Sequence, residues 1–101
     1  MRITSLIVLI CISACSTSNN EYQLVWSDEF EYEGLPDPTL WSYDVGDGCP
    51  HVCGWGNNEL EYYTQDKLEN ARVENGQLII TAIQESFEGK DFTSARLITK
   101  E

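Results

Sequence analysis

The stretch NARVENGQLIITAIQE, residues 70–85, decides the fold class. Asn75-Gly76 lies between two extended runs, and this dipeptide favours a type I′ hairpin turn because both residues tolerate a positive φ. The second run, Leu78 to Ile83, is nearly all apolar. Such a run predicts a strand that is buried on both faces, as between the stacked layers of a β-sandwich.

Strand-like segments continue on both sides of this hairpin. YQLVWSDEF, residues 22–30, begins with β-favouring residues and predicts a first strand that runs into a loop. LWSYDV, residues 40–45, predicts a short strand, and FTSARLITK, residues 92–100, has strand-like composition. The glycine and prolines of residues 31–41 exclude a central strand or a helix interior there. No 3.6-residue apolar stripe with caps occurs, so the predicted class is all-β.

The N-terminus reads as an export signal. A short positive start and an apolar run ending at Ile12 predict a signal peptide over residues 1–14, because the run is far shorter than the ~20 residues of a membrane-spanning helix. The sequence ISAC, residues 12–15, is similar to a bacterial lipobox and predicts lipidation of Cys15, with a tether over residues 15–21. An ordinary cleaved signal with an incidental cysteine is the alternative. The folded part is expected over residues 22–101.

The expected location follows from this signal. Ser16, rather than an aspartate, follows the lipidated cysteine, which favours a lipoprotein of the outer membrane or cell surface. A periplasmic or secreted protein is the alternative. The formal net charge is −11, which disfavours nucleic acid and sulfated polysaccharides because their binding needs cationic groups. Neutral partners fit better, and we expect a monomer that reaches the membrane only through its lipid.

The stretch GDGCPHVCGWGNNELEYYT, residues 46–64, concentrates the chemistry-bearing side chains. Cys49 and Cys53 favour a disulfide in an exported protein. So small a loop gains only roughly 2 kcal/mol by the loop-entropy estimate. A zinc site at Cys49, His51 and Cys53 is disfavoured, because no second pair of ligands is present. No metal ligand is therefore assigned.

Four blocks carry a family resemblance: LVWSDEF (residues 24–30), GWGNNELEYYT (54–64), VENGQLIITA (73–82) and TSARLITK (93–100). In this order and spacing they resemble the N-terminal part of glycoside hydrolase family 16, in its laminarinase (endo-β-1,3-glucanase) branch. The resemblance implies a concanavalin A-like β-jelly-roll sandwich. It also implies a truncated domain, since the chain stops directly after its last predicted strand.

The resemblance implies retaining hydrolysis of internal β-1,3-glucosidic linkages by the full-length protein. In that family two catalytic carboxylates, about 5 Å apart, lie on one strand in an E-x-D-x-x-E pattern. The pattern does not occur here, so no catalytic residue is assigned and the motif is expected beyond residue 101. A catalytic pair of Glu59 and Glu61 is disfavoured. The alternatives are a non-catalytic surface glycan-binding lipoprotein and a structural or interaction lipoprotein without sugar affinity.

The resemblance also implies substrate-binding residues in the GWGNNE loop and in TSAR. These residues are Trp55, Asn57 or Asn58, and Arg96, which would bind a neutral β-glucan by ring stacking and planar hydrogen bonding. The competing interpretations are packing for Trp55 and a structural salt bridge for Arg96. Trp26 and Trp41 are assigned to packing. No cofactor is predicted, although the family often holds a structural calcium ion, to which residues 28–34 could contribute.

Overall fold

A computed structural model describes residues 12–15 and 20–101 of the chain. Within these ranges it contains seven strands and one 3₁₀ turn, which confirms the predicted all-β class. The elements are β1 (Trp41–Tyr43), the 3₁₀ turn (Cys53–Gly56), β2 (Glu61–Tyr63), β3 (Ala71–Glu74), β4 (Gln77–Ile80), β5 (Ile83–Phe87), β6 (Lys90–Ser94) and β7 (Leu97–Thr99).

The strands form three small sheets. β1 pairs with β7, and β3 pairs with β4, both antiparallel. The third sheet has the order β2-β6-β5, in which β2 and β6 run parallel and β5 and β6 antiparallel. The β3–β4 hairpin lies in the connection between the parallel strands β2 and β6. Its position relative to these strands therefore depends on contacts outside the β3–β4 ladder.

The hairpin at Asn75-Gly76 is confirmed. Glu74 faces Gln77 across the turn, and the two turn residues have φ values of 52° and 74°. A positive φ at both central positions defines the type I′ turn, whose twist matches that of the flanking strands. The Glu33 carboxylate accepts a hydrogen bond from the Asn75 N–H at 3.1 Å and joins the preceding loop to the turn.

The prediction of one strand from Leu78 to Ile83, buried on both faces, is wrong. β4 ends at Ile80, which is 49% exposed, and β5 begins at Ile83. The interruption involves Asn70, eleven positions earlier: the Thr81 N–H donates to the Asn70 carbonyl at 2.9 Å, and the Thr81 carbonyl accepts from the Asn70 side-chain amide at 3.1 Å. The Asn70 N–H bonds the Lys67 carbonyl instead, so the ladder ends at this pair and the chain passes from one sheet to another.

The strand expected over residues 92–100 is also divided. β6 ends at Ser94 and pairs with β2 and β5, whereas β7 begins at Leu97 and pairs with β1. Between them the Arg96 carbonyl accepts a hydrogen bond from the Asp44 N–H at 2.9 Å. The break therefore transfers the chain from the three-stranded sheet to the edge pair.

The first strand predicted over residues 22–30 does not form in the structure. Tyr22, Leu24 and Val25 are exposed and outside any ladder, because β-propensity alone does not hold a strand without a neighbour to pair with. The segment becomes ordered by side chains at its end. Trp26 packs edge-on against Trp41, with ring centroids 5.3 Å apart, so these two tryptophans pack as predicted.

Most of the predicted leader lies outside the described residues. Residues 1–11 and 16–19 belong to that part, so the signal and tether predictions are not tested there. Ile12–Cys15 is exposed and irregular. Across residues 12–15 and 20–101, no helix has the length and apolar character needed to cross a bilayer.

Asn70, at the start of β3, is the buried hub of the fold. Its side chain is inaccessible, and its Oδ1 accepts from the Thr64 hydroxyl at 2.6 Å. Its Nδ2 donates to the Thr81 carbonyl and to Thr93 Oγ1, both at 3.1 Å. The Thr93 hydroxyl in turn donates to Glu85 at 2.6 Å, and Glu85 forms an ion pair with Lys67. The hairpin is thereby joined to the three-stranded sheet.

We expect Asn70→Ala to lower the free energy of unfolding by about 2–4 kcal/mol, because the Thr81 carbonyl and the two threonine hydroxyls would lose a partner in a site closed to water. Urea denaturation of the full protein measures the change. Gln65→Ala, an exposed amide in the neighbouring turn, is the control and should change stability by less than about 0.5 kcal/mol. An equal effect of the two substitutions would contradict the role of Asn70.

Candidate functional site

A disulfide between Cys49 and Cys53 closes the turn that precedes the aromatic loop. Hydrogen bonds reinforce it: Asp47 accepts from the Cys49 N–H through Oδ1 at 2.9 Å and from the Gly54 N–H through its carbonyl at 2.8 Å. At Gly48, which has a φ of 81°, an added Cβ would lie 2.0 Å from the Val52 carbonyl oxygen. Only glycine fits there, so the turn has little freedom to rearrange.

Trp55 is held in a backbone conformation that bulky residues rarely adopt. It lies in the 3₁₀ turn with φ 53° and ψ 28°, and Asn58 shortly after it has φ 52°. A left-handed conformation at a residue with a large side chain costs about 1–2 kcal/mol. Surrounding contacts must offset this cost, and strain of this kind concentrates at sites where a side chain has to be aimed.

The contacts that hold Trp55 come from β2 and the segment after β1. The indole Nε1–H donates to the Gly46 carbonyl at 3.3 Å. Gly46 and Tyr63 exchange two backbone hydrogen bonds, of 2.9 and 3.0 Å, and the Tyr63 ring centroid lies 6.2 Å from that of Trp55. The position of the indole is therefore set by the sheet as well as by its own loop.

Arg96 extends from the break between β6 and β7 across the Trp55 indole. Its guanidinium carbon lies 4.4 Å from the ring centroid, which is a cation–π contact. Its Nε is 3.2 Å from Asp44 Oδ2, and its terminal nitrogen Nη1 is 3.7 Å from Glu59 Oε2. Trp55 and Arg96, both assigned to substrate binding from the family resemblance, thus lie in direct contact.

Glu59 and Tyr63 complete this group. The Tyr63 hydroxyl donates to Glu59 Oε2 at 2.8 Å, the same oxygen that faces Arg96. Burial, the hydrogen bond to Glu59 and the charges of Glu59 and Glu61 raise the pKa of Tyr63 to about 12, with Arg96 opposing in part. The phenol therefore remains a neutral donor over the whole physiological range.

Asn57 and Asn58, the two asparagines of the loop, are both exposed. The Asn57 N–H donates to the Gly54 carbonyl at 2.9 Å, which directs the chain out of the 3₁₀ turn. The site side chains that sequence reasoning missed are Asp44 and Tyr63. Asp44 belongs to a segment with no motif, and only the pairing of β1 with β7 brings it to Arg96.

Two metal hypotheses were raised by the sequence. The zinc alternative loses its thiolates, because Cys49 and Cys53 are bonded to each other. In residues 28–34, the Asp28 carboxylate accepts hydrogen bonds from the Phe30 N–H, the Tyr32 hydroxyl and the Trp41 indole. Burial raises the pKa of Asp28, but these three bonds outweigh it and the net pKa is lowered.

Further oxygens of residues 28–34 form hydrogen bonds with the hairpin. Besides Asp28, the Glu33 carboxylate bonds the Asn75 N–H, and the Gly34 carbonyl accepts from the Val73 N–H at 2.7 Å. No group of three histidine, cysteine or acidic side chains suited to a metal occurs among residues 12–15 and 20–101. The segment serves the packing of the loop against the hairpin.

The fold and the candidate site define part of a β-sandwich with an aromatic and polar edge, and known proteins match this chain. A β-glucanase of Rhodothermus marinus is 49% identical over 107 residues, covering 99% of this chain and 35% of its own length. The solved laminarinase of Rhodothermus marinus superposes with a TM-score of 0.69 and 61% identity, over 76% of this chain and 29% of its own. No family model matches the chain.

A third relative connects the fold to a named family. A variant of a non-specific endo-β-1,3(4)-glucanase from glycoside hydrolase family 16, co-crystallized with 1,3-β-D-cellotriosyl-glucose, superposes with a TM-score of 0.65 and 42% identity, over 77% of this chain and 31% of its own. The chain belongs to glycoside hydrolase family 16, as the resemblance predicts. The jelly-roll class is confirmed as well. The chain spans about a third of the length of the curated relative described above, 35% of it.

The raised pKa of Tyr63 gives a pH prediction. Because the folded-state pKa of about 12 lies above the ordinary value of 10.0, the folded state keeps a proton that the unfolded chain loses. This contribution to stability is complete below pH about 10 and is lost as the pH rises towards about 12. In Tyr63→Phe this decline should vanish, and the phenolate absorbance difference between protein and variant should develop near pH 12. A difference that develops fully near pH 10 would contradict the combined effect of burial and the hydrogen bond to Glu59 on the pKa of Tyr63.

Proposed function

We propose that the protein containing this chain hydrolyses internal β-1,3-glucosidic linkages of β-glucans with retention of configuration, as a monomer. The observation that carries the proposal is the contact between Arg96 and Trp55, 4.4 Å from guanidinium carbon to ring centroid, beside the exposed Asn57 and Asn58. The proposal is supported by the names of the relatives, a β-glucanase and laminarinases, which share 49–61% identity with this chain.

The chemistry of neutral sugars explains why these residue types suit the task. A pyranose presents apolar C–H faces to aromatic rings and hydroxyls to planar groups that donate or accept in fixed directions. Arg96 offers several N–H donors, and the two asparagines offer donors and acceptors together. A β-1,3-glucan carries no charge, so it needs no excess of cationic groups, in agreement with the net charge of −11.

In this proposal the chain contributes substrate binding, and the reacting carboxylates come from another part of the protein. Retaining hydrolysis needs a nucleophilic carboxylate and an acid–base carboxylate about 5 Å apart. The pattern E-x-D-x-x-E does not occur in the sequence, and the Glu59 carboxylate is engaged by Tyr63 and Arg96. We therefore assign no catalytic residue to this chain.

Affinity electrophoresis in laminarin tests the binding role. In the protein made from its complete reading frame, Trp55→Ala combined with Arg96→Ala should weaken laminarin binding at least about tenfold, since a stacking surface and a set of donors are both lost. Arg72→Ala is the matched control, because Arg72 is 35% exposed against 38% for Arg96 and also pairs with a carboxylate, that of Glu74. Retardation that survives both substitutions would contradict the binding role of Trp55 and Arg96. The absence of retardation with or without them would favour a structural lipoprotein without sugar affinity.

Hydrolysis is tested separately from binding. Release of reducing ends from laminarin, with the β-anomer formed first in the product, is the expected result for a retaining enzyme. Retardation by laminarin without any such release would instead favour the glycan-binding lipoprotein. The two measurements on the same sample therefore separate the enzyme from the binding module.

For the location we propose a lipoprotein of the outer membrane or cell surface, anchored through Cys15. The support is the lipobox-like ISAC sequence together with an exposed Cys15 that is not in a disulfide. More than one acyl chain on this residue would anchor the protein stably, where a single chain binds reversibly.

Cys15→Ala should abolish incorporation of labelled palmitate and move the protein from the membrane fraction to the soluble fraction. Fractionation of the expressing bacterium and autoradiography of the purified protein provide the measurement. Cys49→Ala with Cys53→Ala is the control, since it also removes cysteines but should leave the lipid label unchanged. A labelled Cys15→Ala variant would show that the anchor lies elsewhere.

A further inference from the structure

The guanidinium of Arg96 is held on three sides, and two of these sides are carboxylates. Asp44 Oδ2 lies 3.2 Å from Nε, and Glu59 Oε2 lies 3.7 Å from Nη1. The third side is the Trp55 ring, 4.4 Å from the guanidinium carbon. An arginine normally keeps extensive rotamer freedom, so a planar group restrained at three points is oriented before any ligand arrives.

The two carboxylates are themselves held. Asp44 directly follows β1, and its N–H donates to the Arg96 carbonyl at 2.9 Å, so backbone and side chain connect the same two residues. Glu59 accepts the Tyr63 hydroxyl at 2.8 Å and is only 22% exposed. Neither contact depends on a ligand. The arrangement therefore has the geometry of a support for Arg96.

The charge of the group has a second consequence. Two carboxylates face one guanidinium, and Tyr63, whose pKa is raised to about 12, adds no charge. Arg96 is 38% exposed, so part of its N–H groups can reach a ligand. A hydroxyl group needs only such donors, whereas a sulfate ester also needs net positive charge, which the surrounding carboxylates remove.

We propose that Asp44 and Glu59 are positioning and specificity-determining residues. They hold Arg96 flat against Trp55 for the hydroxyls of a neutral glucan, and they cancel its charge so that sulfated glycans are rejected. This inference rests on the proposed function, because it assumes that Arg96 contacts the polysaccharide.

Binding to laminarin and to chemically sulfated laminarin tests the proposal, in the protein from the complete reading frame and at low ionic strength. Asp44→Asn and Glu59→Gln keep shape and hydrogen-bonding oxygen but remove charge. Each should weaken laminarin binding about fivefold and strengthen binding of the sulfated form by a similar factor. Each single variant thus shifts the ratio of the two affinities about 25-fold, and the double variant should shift it further.

Glu74→Gln is the matched control, since it removes a carboxylate that pairs with an arginine at 3.0 Å on β3, away from this group. It should change neither affinity. If Asp44 and Glu59 had a purely structural role, Asp44→Asn and Glu59→Gln would lower the midpoint of thermal unfolding and weaken the binding of both ligands in parallel. This result would overturn the proposal. Unaltered affinities in both variants would also overturn it.

Two further measurements keep the test decisive if a variant does not fold. The unsubstituted protein should bind laminarin more tightly than sulfated laminarin, and equal affinity for both would refute the inference without any variant. Arg96→Lys keeps the charge but loses the planar group, so it should weaken laminarin binding without improving that of the sulfated form. Failure of the unsubstituted protein to bind laminarin at all would contradict the proposed function itself.

Discussion

The arrangement of the strands depends on one buried amide, that of Asn70. It is inaccessible to solvent and bonds three segments that are distant in sequence, at Thr64, Thr81 and Thr93. A buried amide without partners is costly, so these segments are stable only when they meet in this geometry. The apolar core is small by comparison and consists of Ala71, Val73 and Ala95 in the described residues. Within the described residues, the buried polar side chains (Thr64, Asn70, Thr93 and Ser94) therefore outnumber the buried apolar ones.

The geometry of the candidate site depends on this hydrogen-bond network. Thr64, which bonds Asn70 through its hydroxyl, also bonds the Ser94 carbonyl through its N–H at 2.9 Å. These bonds hold the end of β2 against the end of β6, so that Tyr63 and Arg96 emerge close together. The disulfide turn then brings Trp55 beneath the guanidinium. The strained backbone conformation at Trp55 is maintained because Tyr63, on β2, packs against the indole.

The predictions that the structure confirms are those that depend on local chemistry. Asn75-Gly76 specifies its turn through the φ values that its own two residues accept, so the hairpin was predictable from five or six neighbouring residues. The break in the strand predicted over residues 78–83 was not predictable from its neighbours, because it arises from Asn70, eleven positions before Thr81. β-propensity describes which conformations a segment tolerates, whereas the strand with which it pairs decides which conformation it adopts. The same reason accounts for the absence of a strand at residues 22–30.

The sequence by itself determined the all-β class, the hairpin, the family and the residue types of the loop, because these depend on local backbone preference and on ordered motifs. Only the tertiary structure decided that Arg96 lies on Trp55, and that Asp44 and Glu59 hold it there. Those four residues come from three parts of the chain, since Trp55 and Glu59 share one loop. Their contact follows from the pairing of β1 with β7 and of β2 with β6, which no local pattern encodes. The physical reason is that a long-range contact depends on the free energy of the whole arrangement.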